Sequence, residues 1–130
     1  MQKLIDQVAV ITGANQGIGK GIARALAKEG CRLAICARNV EKLAATADEL
    51  RREGAEVLAV SADVSQEADV VAFFEAITKQ FGRVDILVNN AGAFDGGRID
   101  ELTMEAWNNV IGACLTGTFL CSREAFKLMA

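Results

Sequence analysis

The sequence contains no histidine, no tyrosine and no proline among its 130 residues. Without histidine, Ser-His-Asp and Cys-His nucleophile pairs are excluded. A surplus of positive charge is missing too: the net charge is −3, so no basic field is available to neutralise nucleic-acid phosphates, and no nucleic-acid partner is expected. No apolar run has the length of a bilayer span, and the opening residues Met1-Gln2-Lys3-Leu4-Ile5-Asp6 lack the apolar stretch of a secretion signal. A cytoplasmic location without a membrane partner is the expectation. The four cysteines, Cys31, Cys36, Cys114 and Cys121, match no zinc or redox spacing, so they read as small hydrophobes in a reducing compartment and no metal site is expected.

What is present is a core and a rhythm. Hydrophobic residues make up 52% and charged residues 24%, as in an ordinary globular domain. Short apolar runs alternate with segments of helical period. Gln7–Thr12, Arg32–Ala37, Glu56–Ser61 and Val84–Asn89 read as strands that are apolar on both faces. Between them, Ile18–Glu29 reads as a helix stopped by Gly30. A second helix is capped by Asn39 and ends at Gly54. A third, capped by Ser65, runs through Phe81 to Gly82. After a glycine-rich loop from Ala91 to Leu102, Thr103 caps a last helix still running at Ala130.

This order implies an α/β fold, a Rossmann-type doubly wound parallel sheet with helices on both faces and right-handed crossovers. About four strands are present and the pattern ends within a helix, so the sheet is expected to be incomplete. Residues 1–130 would be the dinucleotide-binding part of a single domain. The fourth strand, with Val84, Ile86, Leu87 and Val88, would lie at an edge beside the first. The last helix would carry an apolar face of Val110, Leu115, Phe119 and Leu120. Dependence on further chain or on a second copy in a homo-oligomer is therefore expected.

The sharpest feature is Thr12-Gly13-Ala14-Asn15-Gln16-Gly17-Ile18-Gly19, which leaves the first strand and opens the first helix. Gly13 permits a tight turn, Gly17 lets the backbone approach a pyrophosphate, and Gly19 lets the helix pack close to the sheet. The helix N-terminus adds unpaired N–H groups and a positive dipole end. Lys20, beside the turn, reads as a solvated helix residue. Strand, turn and helix in this order make a dinucleotide site the reading of choice.

The spacing T-G-x-x-x-G-I-G, together with Asp63-Val64, Asn89-Asn90-Ala91-Gly92 and the Trp107–Leu120 segment with Leu115-Thr116-Gly117-Thr118-Phe119, resembles the short-chain dehydrogenase/reductase family, in particular its 3-oxoacyl-carrier-protein reductase-like members. The motifs lie on matching elements in matching order across the chain. The resemblance implies an oxidoreductase moving hydride between nicotinamide and a small-molecule ketone, secondary alcohol or 3-oxoacyl substrate. Asn15, Gln16 and Ile18 would join the three glycines around the cofactor. Asp63 would accept a hydrogen bond from the adenine amino group and Val64 would pack on the ring. Asn90, Ala91 and Gly92 would line the ribose, while Asn89 would tie neighbouring strands. The second strand ends on Ala37-Arg38, with no carboxylate for a ribose 2′-OH and a guanidinium for a 2′-phosphate. Asn39 would assist. NADP is thus the expected cofactor, with NAD as the alternative, since Gln16 stands where many NADP-preferring relatives carry a base.

The resemblance also implies chemistry that these residues do not carry. In the family a tyrosine is the general acid/base, a lysine lowers its pKa, a serine orients the carbonyl and an asparagine on the last helix completes a proton relay; an unassisted phenol titrates near pH 10, far from neutrality. No tyrosine is present, and the asparagine position falls on Cys114, a weak donor and acceptor. Gly112 stands where relatives often carry Asp. No catalytic residue is assigned, and residues 1–130 alone are expected to be inactive. A non-catalytic nucleotide-binding module, acting as a sensor or interaction protein, remains the alternative.

Overall fold

The computed structural model describes residues 2–94 and 96–130; Met1 and Asp95 lie outside the described residues. The elements in chain order are β1 (Val8–Thr12), α1 (Gly17–Lys28), β2 (Arg32–Ala37), α2 (Val40–Arg52), β3 (Val57–Ser61), α3 (Glu67–Gln80), β4 (Ile86–Val88), α4 (Met104–Ile111), a π-helical turn at Gly112–Thr116 and α5 (Gly117–Met129). The sheet is four-stranded in the order β3-β2-β1-β4, and all pairs are parallel. The fold is thus the doubly wound α/β arrangement that the alternating pattern predicts.

Strand periodicity sorts the core into two layers. Val8 and Val10 of β1 join Ala34 and Cys36 of β2 on one face, under Phe73, Phe74 and Ile77 of α3 and Leu120, Cys121 and Ala125 of α5. Ala9 and Ile11 join Leu33 and Ile35 on the other face, under Ala23 of α1 and Leu43, Ala47 and Leu50 of α2. Successive strand residues point to opposite faces, so a strand covered on both sides must be apolar throughout. The fully buried β1 shows this directly.

Three sequence expectations change. Ser65 does not cap α3: its hydroxyl and its N–H both donate to Asp63 Oδ1, at 2.7 and 3.0 Å, and the helix starts at Glu67 after an uncapped Gln66. Asp69 caps the turn from inside the helix, accepting from the Asp63 N–H at 2.9 Å. The last helix runs unbroken from Met104 to Met129, as expected, but the π turn within it rotates the face of α5 relative to that of α4. Leu120 is therefore buried while Leu115 and Phe119 are exposed, on a different side of the rod from that expected for one apolar face. Finally, β4 pairs over only three residues; Val84 precedes it and is buried by packing, not by pairing. Among the described residues, no helix is long and apolar enough to cross a membrane.

Candidate cofactor site

The carboxyl ends of β1, β2 and β3 open into one cavity of about 300 Å³. Open parallel sheets place ligands there, at the point where successive crossovers diverge to opposite faces. The glycine turn forms one wall. Gly13 has φ +65° and Gly17 φ +56°, a region that costs a side-chain-bearing residue about 1–2 kcal/mol. A Cβ on Gly13 would stand 2.8 Å from the Ala91 Cα, so the close approach of turn and β4 loop requires its absence. A Cβ on Gly19 would run into the Gly13 carbonyl and the Asn90 amide. Gly19 thus serves packing, as its place in the motif implies.

Long-range bonds hold the turn in shape. The N–H groups of Gly13 and Ala14 donate to the Cys36 carbonyl at the end of β2, at 2.9 and 3.3 Å. The hydroxyl of buried Thr46 on α2 donates to the Asn15 carbonyl at 3.1 Å. Thr12, also buried, accepts at its hydroxyl from the N–H groups of Asn90 and Ala91, at 3.0 and 2.8 Å. Asn90 returns the tie by donating its amide to the Gly13 carbonyl at 3.1 Å. Asn90 is therefore the residue that joins neighbouring strand ends. Asn89, expected in that role, donates instead to the Ser122 hydroxyl on α5 at 3.1 Å.

The start of α1 differs from those of α2 and α4, which are capped, and from that of α3, whose uncapped first turn carries Glu67 and Asp69. Asn39 caps α2, accepting from the Lys42 N–H at 2.9 Å, and Thr103 caps α4, accepting from the Ala106 N–H at 3.1 Å. No side chain caps α1, and its first turn carries no acidic residue. The donors of that turn are left for an anion, beside the positive end of the helix dipole.

The cavity gathers most of the residues singled out from the sequence. Gly13, Asn15, Gln16, Arg38, Asn39, Asp63, Val64, Ala91 and Gly92 line it. Gly17, Ile18, Gly19 and Asn90 do not: Ile18 is exposed beside the turn, and Asn90 and Gly19 brace it from behind. At the far side, Asp63 has Oδ1 engaged by Ser65, and Oδ2 has no protein donor among the described residues. Val64 is clamped from below, because a Cβ on Gly117 would be 2.5 Å from its Cγ2; the glycine lets the last helical rod seat under it. These residues suit a dinucleotide, with apolar contact and an acceptor for a base, open N–H groups for a pyrophosphate and a cation beyond the second strand.

Five wall residues were not among those assigned to the site from the sequence: Cys36, Ala37 and Ala62 at the strand ends, Lys42 and Ala113. Lys42 lines the cavity and donates through Nζ to the Gln16 side-chain oxygen at 3.2 Å; its place one helical turn after Arg38 was the available signal. Ala113 of the π turn had no such signal. Lys20, by contrast, pairs with Glu49 at 2.8 Å, as a surface residue would. Cys114 lies against this site: its thiol donates to the Ala93 carbonyl at 3.7 Å, just past Gly92. The buried cysteines behave as hydrophobes. Burial, with Cys121 nearby, pushes the Cys36 thiol up to about 12, and burial pushes Cys121 up to about 11.

Comparison with known proteins agrees with this geometry. The sequence pattern of the short chain dehydrogenase family matches residues 7–130. The chain is 47% identical over 120 residues to the granaticin polyketide synthase putative ketoacyl reductase 1 of Streptomyces violaceoruber, covering 92% of the chain and 44% of that relative. It superposes on L-sorbose reductase from Gluconobacter frateurii complexed with NADPH and L-sorbose, with TM-score 0.94 and 36% identity, over 98% of the chain and 49% of that structure. A short chain dehydrogenase/reductase from Burkholderia phymatum in complex with NAD gives TM-score 0.94 and 38% identity, over 98% and 46%. The chain spans about half the length of these relatives. From residue 7 to its last residue, through the glycine turn and the braces behind it, this chain belongs to the short-chain dehydrogenase family.

Proposed function

We propose that residues 1–130 are the cofactor-binding part of one domain of an NADP(H)-dependent oxidoreductase, acting on a ketone, a secondary alcohol or a 3-oxoacyl thioester. The observation that carries this reading is the end of β2: Arg38 lines the cavity just past Ala37, and no carboxylate stands among the cavity's residues at that end. A guanidinium recognises a phosphate monoester by charge and by paired hydrogen bonds, and it offers nothing to a bare 2′-OH that water does not. The bound nicotinamide would donate or accept the hydride. Gly13, Asn15 and the open first turn of α1 would hold the pyrophosphate; Asp63 and Val64 would hold the adenine; Ala91 and Gly92 would let the ribose approach the backbone. The names of the relatives, a ketoacyl reductase and a sorbose reductase, support a carbonyl substrate.

The same reading includes a reducing, cytoplasmic setting, in keeping with four unpaired cysteines. It also includes contact with further chain or with a second copy, since Trp107, Leu115, Phe119 and Phe126 are all more than half exposed and an apolar row of this kind marks an interaction surface.

The test is titration of the protein with NADPH and NADH, followed by NADPH oxidation with small ketones and 3-oxoacyl thioesters. Tighter binding of NADPH than of NADH supports the reading. Residues 1–130 carry no tyrosine to act as the acid, so binding without turnover is the expected result, turnover would overturn the account of the missing acid, and equal affinity for the two cofactors would refute the choice of NADP. Arg38→Ala is expected to remove the NADPH preference while leaving NADH binding in place.

A further inference from the structure

Lys42 lies outside every motif by which the sequence is read, yet it stands on the cavity wall with Gln16, Arg38 and Asn39. Its Nζ has a neutral partner, the Gln16 side-chain oxygen at 3.2 Å, and no carboxylate pairs with it among the described residues. Arg38 likewise forms no ion pair among the described residues; Lys3, Lys28, Arg32, Arg52 and Lys79 form none either, but of these unpaired cations Arg38 and Lys42 are the ones on the cavity wall. Two uncompensated cations thus share one end of one cavity. They also stand at the start of α2, where the helix dipole adds positive potential; the acidic Glu41 of that turn is not on the cavity wall.

A phosphate monoester carries a charge of about −1.5 to −2 near neutrality. Arg38 alone leaves part of that charge unmatched inside a partly closed cavity. We propose that Lys42 is the second cation of the 2′-phosphate site and, with Arg38, sets the preference for NADP(H) over NAD(H). The inference rests on the NADP reading above. Gln16 holds the ammonium across the gap between the glycine turn and α2. When the phosphate binds, Lys42 exchanges the Gln16 oxygen for a phosphate oxygen. Gln16, the neutral residue that weakened the case for NADP, thereby becomes the holder of a base supplied from α2.

The cap of α2 uses the backbone N–H of Lys42, not its side chain, so side-chain substitutions leave the helix start intact. The experiment is calorimetric titration of the protein with adenosine 2′,5′-bisphosphate and with 5′-AMP, which differ only in the 2′-phosphate. The unaltered protein is expected to bind the bisphosphate more tightly. Lys42→Met is expected to lower that preference about tenfold, the scale of one charge-assisted hydrogen bond, with 5′-AMP affinity unchanged and the melting temperature preserved. Lys42→Arg is expected to keep most of the preference. If Lys42→Met leaves the preference intact while Arg38→Ala abolishes it, the inference is overturned and the NADP reading stands. If the unaltered protein does not favour the bisphosphate, or binds neither nucleotide, both fail. Equal weakening of both nucleotides in Lys42→Met would assign Lys42 a merely structural part and also overturn the inference.

Discussion

Gly19 and Gly21 lie two residues apart on α1 and should answer a methyl group in opposite ways. A Cβ on Gly19 meets the Gly13 carbonyl and the Asn90 amide, whereas a Cβ on Gly21 meets nothing within 4 Å. Gly19→Ala is expected to push the glycine turn off Asn90, weaken NADPH binding more than tenfold and lower the melting temperature. Gly21→Ala should raise stability by about 0.5–1 kcal/mol, since alanine loses less freedom than glycine in a helix. Denaturant titration of both variants beside NADPH binding checks the pair; equal responses would break the assignment of Gly19 to close packing. What was legible at this scale was what is local. The glycines, the Asn39 cap and Arg38 announce themselves through neighbours a few residues away. The division of labour between Asn89 and Asn90 was not legible, because each is decided by a partner more than 30 residues distant, Ser122 for one and Gly13 for the other. Lys42 was missed for the same reason: its side chain meets Gln16 across 26 residues of sequence.

The strands and the first helices were legible as elements because periodicity and caps are local signals. The π turn at Gly112–Thr116 was not, since no residue pattern marks where a helix takes in an extra residue. Nor was Ser65's failure to cap, which depends on Asp63 competing for both its donors. The edge strand shows how one side chain can hold an element. Asp85, just before β4, accepts from the buried Val8 N–H at 2.9 Å and from the Arg83 Nε at 2.9 Å. The hydrogen bond from Arg83, and then the one from Val8, hold its carboxyl below the usual carboxylate range against the opposing effect of burial. A carboxyl whose folded pKa is depressed adds stability that is present above its unfolded pKa, near 3.9, and is lost as pH falls through the lower folded value. Asp85→Ala leaves the Val8 N–H buried and unpaired, so at neutral pH it should cost about 1–3 kcal/mol. The difference between the two proteins should shrink as pH falls below about 4. Urea unfolding of both at several pH values reads this out; a gap that stays constant into acid would remove the charge of Asp85 from the account.

At the scale of the whole molecule, the strand order followed from the alternation of elements and the hand of crossovers, and β3-β2-β1-β4 is what those rules give. The site is assembled from segments spread from Gly13 to Ala113, so its parts are joined only through the fold. Thr46 holds the turn to α2, Thr12 and Asn90 hold it to the loop after β4, and Gly117 seats the last rod under Val64. A ligand that spans those parts binds only the folded arrangement and must stabilise it by mass action. At a free concentration one hundred times its dissociation constant, NADPH should add about 2.7 kcal/mol to unfolding. For a domain of this size, each 1 kcal/mol shifts the melting temperature by roughly 4 °C. NADPH should therefore raise the midpoint by about 10 °C at saturation, and NADH at the same concentration by clearly less. In Arg38→Ala the two curves should converge on the NADH value. A thermal scan with the two cofactors measures this directly, and a rise that is equal for both in the unaltered protein would mean that the end of β2 does not read the 2′-phosphate.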